Sequence, residues 1–496
     1  MKMSQSQGLP RSRARAASHL FRSTATLVAL SMTLSGCGFF HNRLIGAGPE
    51  QPPPASAEGG PPAVWAGAAA ADEPTAALVA RSILAAGGNA ADAATALAFT
   101  LMVTLPSRAS LGGGGACLAF SPSVKPGKKE GPTAFLFLPP AAAGGGSRPA
   151  AVPMTARGLL LMQAVYGLKP IDQLIGPAQR LAALGTPVSQ AFESDLAVVS
   201  GPLFGDPIAR AAFGDAAGAP LGVGATMTQP DLAATLDQLR LRGVTDLYQG
   251  RLAERLVDGS SQAGGPISAA DLAAAVPTQT MPLERPLGGT KVAFLPPPAD
   301  GGLAAEGAFN ILRANQNDLG GAQATALGIA TAWRHGMSAE NPEALLKDAN
   351  LPQGNLPQLA ASTSFVTADQ YGGAVACTLT MNNLFGTGRI APGTGILLAA
   401  SPAHAQVPLL SAALVWNRPL NAFRAAVAAS GQEGAPLAVA VATDNALRHG
   451  GRDIGQPVPE PGRANAIGCP DFIPGSFKTC LWVTDPRGAG IATGRN

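Results

Sequence analysis

Aromatic and charged side chains are scarce in this 496-residue chain, at 5% and 13% of its residues. The formal net charge is only +3, and no Lys/Arg cluster lies interleaved with aromatics in the body of the chain. The sequence therefore carries no nucleic-acid footprint. Metal-ligand spacing is missing as well. The histidines (His19, His41, His335, His404, His449) show no ligand spacing with Cys or acidic residues, so no metal or other cofactor is expected. The 61 glycines and 44 prolines follow no period, which excludes collagen-like structure and points to many turns and small-residue packing. With 46% hydrophobic residues, the chain has enough apolar surface to bury a large core.

The first 37 residues read as targeting rather than fold. Arg11, Arg13, Arg15 and Arg22 form a positive region, and residues 23–34 form an apolar one too short to span a bilayer as a lasting helix. It ends in Leu34-Ser35-Gly36-Cys37, which resembles a bacterial lipoprotein signal, whose Cys is lipidated and becomes the first residue of the mature protein. That resemblance implies a lipoprotein held through Cys37 to a membrane of the bacterial envelope, on the periplasmic side. An ordinary secretory signal is the alternative, and both readings export the chain. Residues 38–63 are rich in Pro and Gly and read as an extended, semi-rigid tether. Cys469 and Cys480 share one loop-like stretch and, in an oxidising compartment, are expected to form a disulfide. Cys117 and Cys377 each lie on an apolar strand and read as small core residues, with their partnership left open.

Within the body, a helix is expected over residues 73–86, stopped by Gly87-Gly88-Asn89, and a mostly apolar one over 90–105. Arg81, Gly87-Gly88 and Asp92 interrupt the apolar run, which makes it a buried core helix rather than a membrane span. Gly112–Gly115 lacks the Gly-Lys-Ser/Thr that a phosphate loop needs. Another helix is read from Pro177, with a glycine stop at Gly185. The richest stretch is 361–398. It reads as two strands, 363–368 and 374–380, joined by turn material at 369–373. Strict pairing about Tyr371 sets Thr380 across from Ser362, and a one-residue slip would send one hydroxyl to the other face. Two glycine turns, Phe385-Gly-Thr-Gly388 and Pro392-Gly-Thr-Gly395, then lead into a short apolar strand at 396–398.

The order of these motifs resembles that of the γ-glutamyltransferases, N-terminal-nucleophile hydrolases. Their precursor cuts itself before a Thr that becomes both nucleophile and new amino terminus. The likeness runs through most of residues 64–495. It implies a four-layered αββα fold in which a large-subunit-like region, 64–361, and a small-subunit-like region, 362–496, form one domain. Self-cleavage would leave a large/small subunit heterodimer. Counting back from Phe385-Gly-Thr-Gly388, the nucleophile position falls on Ser362, with Thr363 next. Either hydroxyl suits a chemistry that needs a side-chain oxygen beside a free α-amine acting as base. Thr380 and Asn382 match the hydroxyl and amide that line the nucleophile, and Ser411 matches one of two serines near the substrate carboxylate. The implied substrate is a γ-glutamyl amide of the glutathione kind.

Several positions depart from the family pattern. The oxyanion Gly-Gly pair reads Gln432-Glu433. The Arg that clamps the substrate carboxylate is Leu138, the other serine is Leu410, and the stretch Ala399-Ala-Ser-Pro-Ala-His404 has no carboxylate for an α-amino group. The segment before Ser362 is also shorter than the family's. These changes predict that γ-glutamyl transfer is very weak or absent. Three functions follow: a γ-glutamyl hydrolase or transferase, a related acylase acting on another amide, or a non-catalytic envelope lipoprotein acting as a binding module.

Replacing Cys37 by Ser should move the protein out of the membrane fraction and lower its mass by the lipid, because several acyl chains together anchor stably where a single chain binds marginally. Cell fractionation with mass measurement checks this. Protein that stays with the membranes at unchanged mass excludes lipidation at Cys37.

Overall fold

Small side chains shape the first elements of the computed structural model, which describes residues 65–122, 130–354 and 361–494. The signal segment with Cys37 and the tether at 38–63 lie outside the described residues. β1 (Gly67–Ala71) is a glycine and four alanines, all buried, and so can be covered on both faces. The Glu73 side chain caps α1 (Pro74–Ala85), accepting from the N–H groups of Thr75 and Ala76. Asn89 and Asp92 form a reciprocal capping box at the start of α2 (Ala90–Thr104), which is buried along its whole length. This is the core helix expected from the sequence.

β2 (Gly114–Phe120), β3 (Thr133–Phe137) and α3 (Thr155–Tyr166) follow. The helix read from Pro177 begins earlier, as α4 (Ile171–Leu184), with Pro177 inside it. Gly176 precedes that proline and has no Cβ to meet its ring, which explains how the helix continues. The chain then runs through β4 (Thr186–Pro187), α5 (Gln190–Leu203), α6 (Pro207–Phe213), β5 (Thr226–Met227), α7 (Pro230–Arg242), α8 (Thr245–Gln249), α9 (Arg251–Gln262) and α10 (Ala269–Ala274). Next come β6 (Thr278–Thr280), β7 (Leu283–Leu287), β8 (Thr290–Phe294), α11 (Asp300–Ala314) and α12 (Leu319–Arg334). The last third holds β9 (Ser362–Asp369), β10 (Ala374–Thr380), β11 (Ile390–Ala391), β12 (Ile396–Leu397), β13 (Ser411–Asn417), β14 (Ala422–Ser430), α13 (Ala435–Leu447), β15 (Arg463–Ile473), β16 (Leu481–Thr484) and β17 (Ile491–Thr493). The short strand expected at 396–398 ends one residue early, and Leu398 instead bridges Gly112.

Two sheets result, ordered β17-β1-β9-β10-β2-β3-β6 and β16-β15-β14-β13-β8-β7. Each draws strands from both sides of Ser362. Phe135, Phe137, Phe365 and Leu379 leave the first sheet for a core shared with α1, α2 and the helices that follow. Their neighbours Leu118, Leu136, Val366 and Ala376 point the other way and meet Leu414, Ala426, Ala428 and Ile467 of the second sheet. On the outer face of that sheet, Val292, Val415 and Val427 pack with Leu303, Phe309, Ile329 and Val439 of α11, α12 and α13. The layers therefore run helix, sheet, sheet, helix, which is the αββα arrangement that the resemblance implies. Among the described residues, no helix is long and apolar enough to cross a membrane.

Cys469 and Cys480 are joined, with an S–S distance of 2.06 Å. Cys117 and Cys377 are buried core residues, as expected, and the partnership that the sequence leaves open is formed. They stand directly opposite each other on β2 and β10 and are joined at 1.97 Å. Antiparallel pairing brings together two positions 260 residues apart in the chain, which no spacing rule detects. The glycine run that leads into β2 and forms its first two residues also has a packing explanation. A Cβ at Gly114 would lie 2.3 Å from the Phe137 carbonyl oxygen, so only glycine admits the neighbouring strand.

Gly158 tests how full this core is. A Cβ there would lie 2.0 Å from Cγ of Phe137. Helix propensity alone favours alanine by about 1 kcal/mol, whereas overpacking a filled core costs about 1–3 kcal/mol or more, and at so short a distance the steric cost wins. Gly158→Ala should therefore lower the urea midpoint of unfolding. An unchanged or raised midpoint would show that α3 can lift off β3 freely.

Candidate active site

The β9–β10 hairpin is built around Asp369. Its carboxylate accepts from the N–H groups of Tyr371 at 2.9 Å, Gly373 at 2.8 Å and Ala90 at 2.9 Å, which closes the turn and ties it to the N-terminus of α2. Burial pushes the Asp369 carboxyl above its ordinary pKa; the backbone N–H bonds oppose this, and the nearby Asp92 charge adds to it. From that turn the register runs unbroken to Thr380 opposite Ser362.

Two-residue alternation then separates the hydroxyls. Val366 and Ala368 face the second sheet and Phe365 faces the helices, so Ser362 and Ser364 share the inter-sheet face while Thr363 points away. Ser362 is 3% exposed and Thr380 1%. The Thr380 hydroxyl accepts from the Asn382 N–H at 2.9 Å and donates to the Ala361 carbonyl at 3.1 Å. That carbonyl belongs to the peptide bond that leads into Ser362. A donor fixed on it can stabilise negative charge if the carbon is attacked. Asn382 sits at φ 57, a left-handed conformation that Asn tolerates better than most residues. Its amide donates to the Ala400 carbonyl at 3.0 Å, and its Oδ1 is buried without a partner.

Sequence reasoning missed Asp72, which follows β1. Its carboxylate accepts from the Thr363 hydroxyl at 3.1 Å, the Ser364 N–H at 2.9 Å, the Ser430 hydroxyl at 3.0 Å and the Asn465 amide at 2.7 Å. Asn465 also donates to the Ser364 hydroxyl at 2.9 Å. One carboxylate thus joins the start of β9 to β14 and β15 of the other sheet. Beside it opens a cavity of about 230 Å³ lined by Arg108, Arg463 and Arg487 among others. Arg108 is held by a two-pronged pair with Asp195, both contacts at 2.7 Å, and Arg487 by Asp485 at 2.6 Å. No local pattern in the sequence marks Asp72, because its partners lie some 290 to 390 positions further along.

The other expected site residues are placed as follows. Ser411 donates to the Leu409 carbonyl at 2.9 Å. Leu138 is half-buried and packs against the inter-sheet core. Leu410, Ala399 and Ala400 are buried, and His404 is exposed. Gln432 adopts φ 55, a left-handed conformation that costs a non-glycine residue about 1–3 kcal/mol. Among the described residues, no group of three or more His, Cys, Asp or Glu could hold a metal ion.

Residues 76–341 match a family model described as gamma-glutamyltranspeptidase. The chain is 29% identical over 366 residues to the glutathione hydrolase proenzyme of Escherichia coli (strain K12), covering 64% of this chain and 63% of that protein. It is 30% identical over 371 residues to the acylase ACY 1 proenzyme of Pseudomonas sp. (strain SE83), covering 64% and 65%. The chain thus spans less than two thirds of the length of these relatives. Among solved structures, a cephalosporin acylase from Bacillus halodurans superposes with a TM-score of 0.70 over 90% of this chain and 99% of that one, at 19% identity. Likeness at that identity is a likeness of fold.

Asp72→Ala should leave the Ser364 N–H and the Asn465 amide short of an acceptor and lower the free energy of unfolding by about 2–4 kcal/mol, with Asp72→Asn costing less because it keeps one oxygen. Urea unfolding of both variants checks this. Equal stability of all three proteins would show that the carboxylate does not tie the two sheets together.

Proposed function

The chain belongs to the γ-glutamyltranspeptidase family, and from that premise we propose that it is a self-cleaving amide hydrolase of the acylase kind, with Ser362 as both cleaving residue and nucleophile. The observation that carries this reading is the hydrogen bond from the Thr380 hydroxyl to the Ala361 carbonyl, at the bond that self-cleavage breaks. Ser362 Oγ adds to the Ala361 carbonyl carbon, and negative charge gathers on the oxygen to which Thr380 donates. The peptide C–N bond then breaks, and its nitrogen takes the proton given up by the hydroxyl and becomes an α-amine. Water hydrolyses the resulting ester, which leaves Ala361 as a carboxylate and Ser362 as a new amino terminus. In turnover that amine receives the Ser362 proton as Oγ attacks the substrate carbonyl, passes it to the departing amine, and activates the water that clears the acyl group. Thr363 has no part in this, since its hydroxyl is engaged by Asp72.

The apolar replacements favour an acyl group without α-amino and α-carboxylate charges. Leu138, Leu410, Ala399 and Ala400 occupy the positions that hold those charges in the family. Losing one buried charged contact typically costs about 2–5 kcal/mol, a penalty that falls on γ-glutamyl amides and not on simple acyl amides. In this reading the body is held at the bacterial envelope through Cys37. The second reading, a non-catalytic binding module with the same anchor, is favoured by Gln432-Glu433 in place of the glycine pair.

Denaturing electrophoresis of the purified protein should show two bands split at Ala361/Ser362, one uncut band for Ser362→Ala, and cleavage retained in Thr363→Ala. Thr380→Val should slow cleavage about a hundredfold to a thousandfold, the usual effect of losing one oxyanion donor. The cleaved protein should turn over a chromogenic acyl amide faster than a chromogenic γ-glutamyl amide. An uncut wild-type chain with no turnover would favour the binding module instead.

A further inference from the structure

A second cavity, about 740 Å³, opens between β7, α11 and the turn Pro342–Lys347. It belongs to the helical layer outside the second sheet, whereas Ser362 lies in the first, so its occupant is separate from any acyl group carried by Ser362. Glu306 of α11 is 5% exposed. Its Oε2 and the Oδ1 of Asn310, one helical turn further on, are buried and have no hydrogen-bond partner. Buried polar atoms are almost always satisfied, and here both orphans are oxygens of residues lining one cavity, both acceptors once Glu306 is ionised. Arg285 and Lys347 also line it, are exposed, and have no ion-pair partner among the described residues, whereas Glu284 is occupied by Lys291 at 2.5 Å.

The cavity therefore wants donors from its buried wall and acceptors at its exposed side. We propose that it binds a free α-amino acid as the zwitterion, the ammonium directed to Glu306 and Asn310 and the carboxylate to Arg285 and Lys347. An ammonium brings three donors and no acceptor, which matches the two orphaned oxygens. A guanidinium suits a carboxylate by its forked geometry. A lone cation would meet Arg285 and Lys347, and a lone anion would meet Glu306 and Glu343, so a ligand carrying both charges fits better than either. The volume falls within the usual range for small-molecule sites. Burial, with help from the Glu343 charge, pushes the Glu306 carboxyl up to about 7, against the opposing pull of Arg285. Because the ammonium favours ionised Glu306, binding should tighten as pH rises through about 7 and should release a proton below it.

Isothermal titration of the purified full chain with L-alanine, ethylamine and acetate tests the assignment. L-alanine should bind at least about tenfold more tightly than either single-charge analogue, and Glu306→Gln and Arg285→Ala should each weaken it by a similar factor. Arg285 is exposed, so that variant should melt like the native protein. The gain in affinity with rising pH should vanish in Glu306→Gln. No heat with L-alanine, equal binding by ethylamine, or undiminished binding by both variants would overturn the proposal.

Discussion

The register of the β9–β10 hairpin is the constraint on which the candidate site depends. In a strand, a slip of one residue turns every side chain to the opposite face, and here it would bury Phe365 between the sheets and expose the Ser362 hydroxyl to the helices. Three interactions at different points hold the register. Asp369 closes the turn with backbone donors, Val366 and Ala376 are locked into the inter-sheet core, and Asp72 grips both the Thr363 hydroxyl and the Ser364 N–H at the open end. The pairing of Ser362 with Thr380, and the hydrogen bond from Thr380 to the Ala361 carbonyl, follow from that grip.

The scarcity of aromatics is part of the same design. Alanine fills much of the inter-sheet layer, at Ala116, Ala134, Ala376, Ala412, Ala426 and Ala428, and glycine is required where strands approach as closely as Gly114 does to Phe137. Thin layers of this kind bury little apolar area per residue, so chain length has to supply the core. Polar ties then matter more than usual. Asp72 and Asn465 connect the sheets through hydrogen bonds to a charged group, which are about twice as strong as neutral ones.

Family membership and chemistry separate at the departures. Gln432 holds a left-handed backbone conformation, one that glycine adopts freely and other residues rarely do. At Leu138, Leu410, Ala399 and Ala400, where the resemblance implies polar groups, the structure packs apolar side chains into or against its core. A fold tolerates such exchanges because packing is satisfied by any apolar side chain of suitable volume, whereas recognition of a charged substrate needs particular donors at particular distances. Function therefore resides in the site rather than in the fold.

Local chemistry determined much of this protein from the sequence alone. The glycine stop of the first helix, the β-branched hairpin with its Asp369-Gln-Tyr-Gly-Gly373 turn, and the register that sets Thr380 against Ser362 are all short-range features, legible because propensity and alternation act over a few residues. The αββα architecture came from the resemblance, through motif order. Tertiary structure alone decided the rest. It placed Thr363 on Asp72 rather than beside Thr380, joined Cys117 to Cys377 across two strands, and left Glu306 and Asn310 without donors. Each of these depends on groups far apart in the chain, whose meeting is set by the packing of whole layers, and no local pattern in a sequence records which distant side chain will face which.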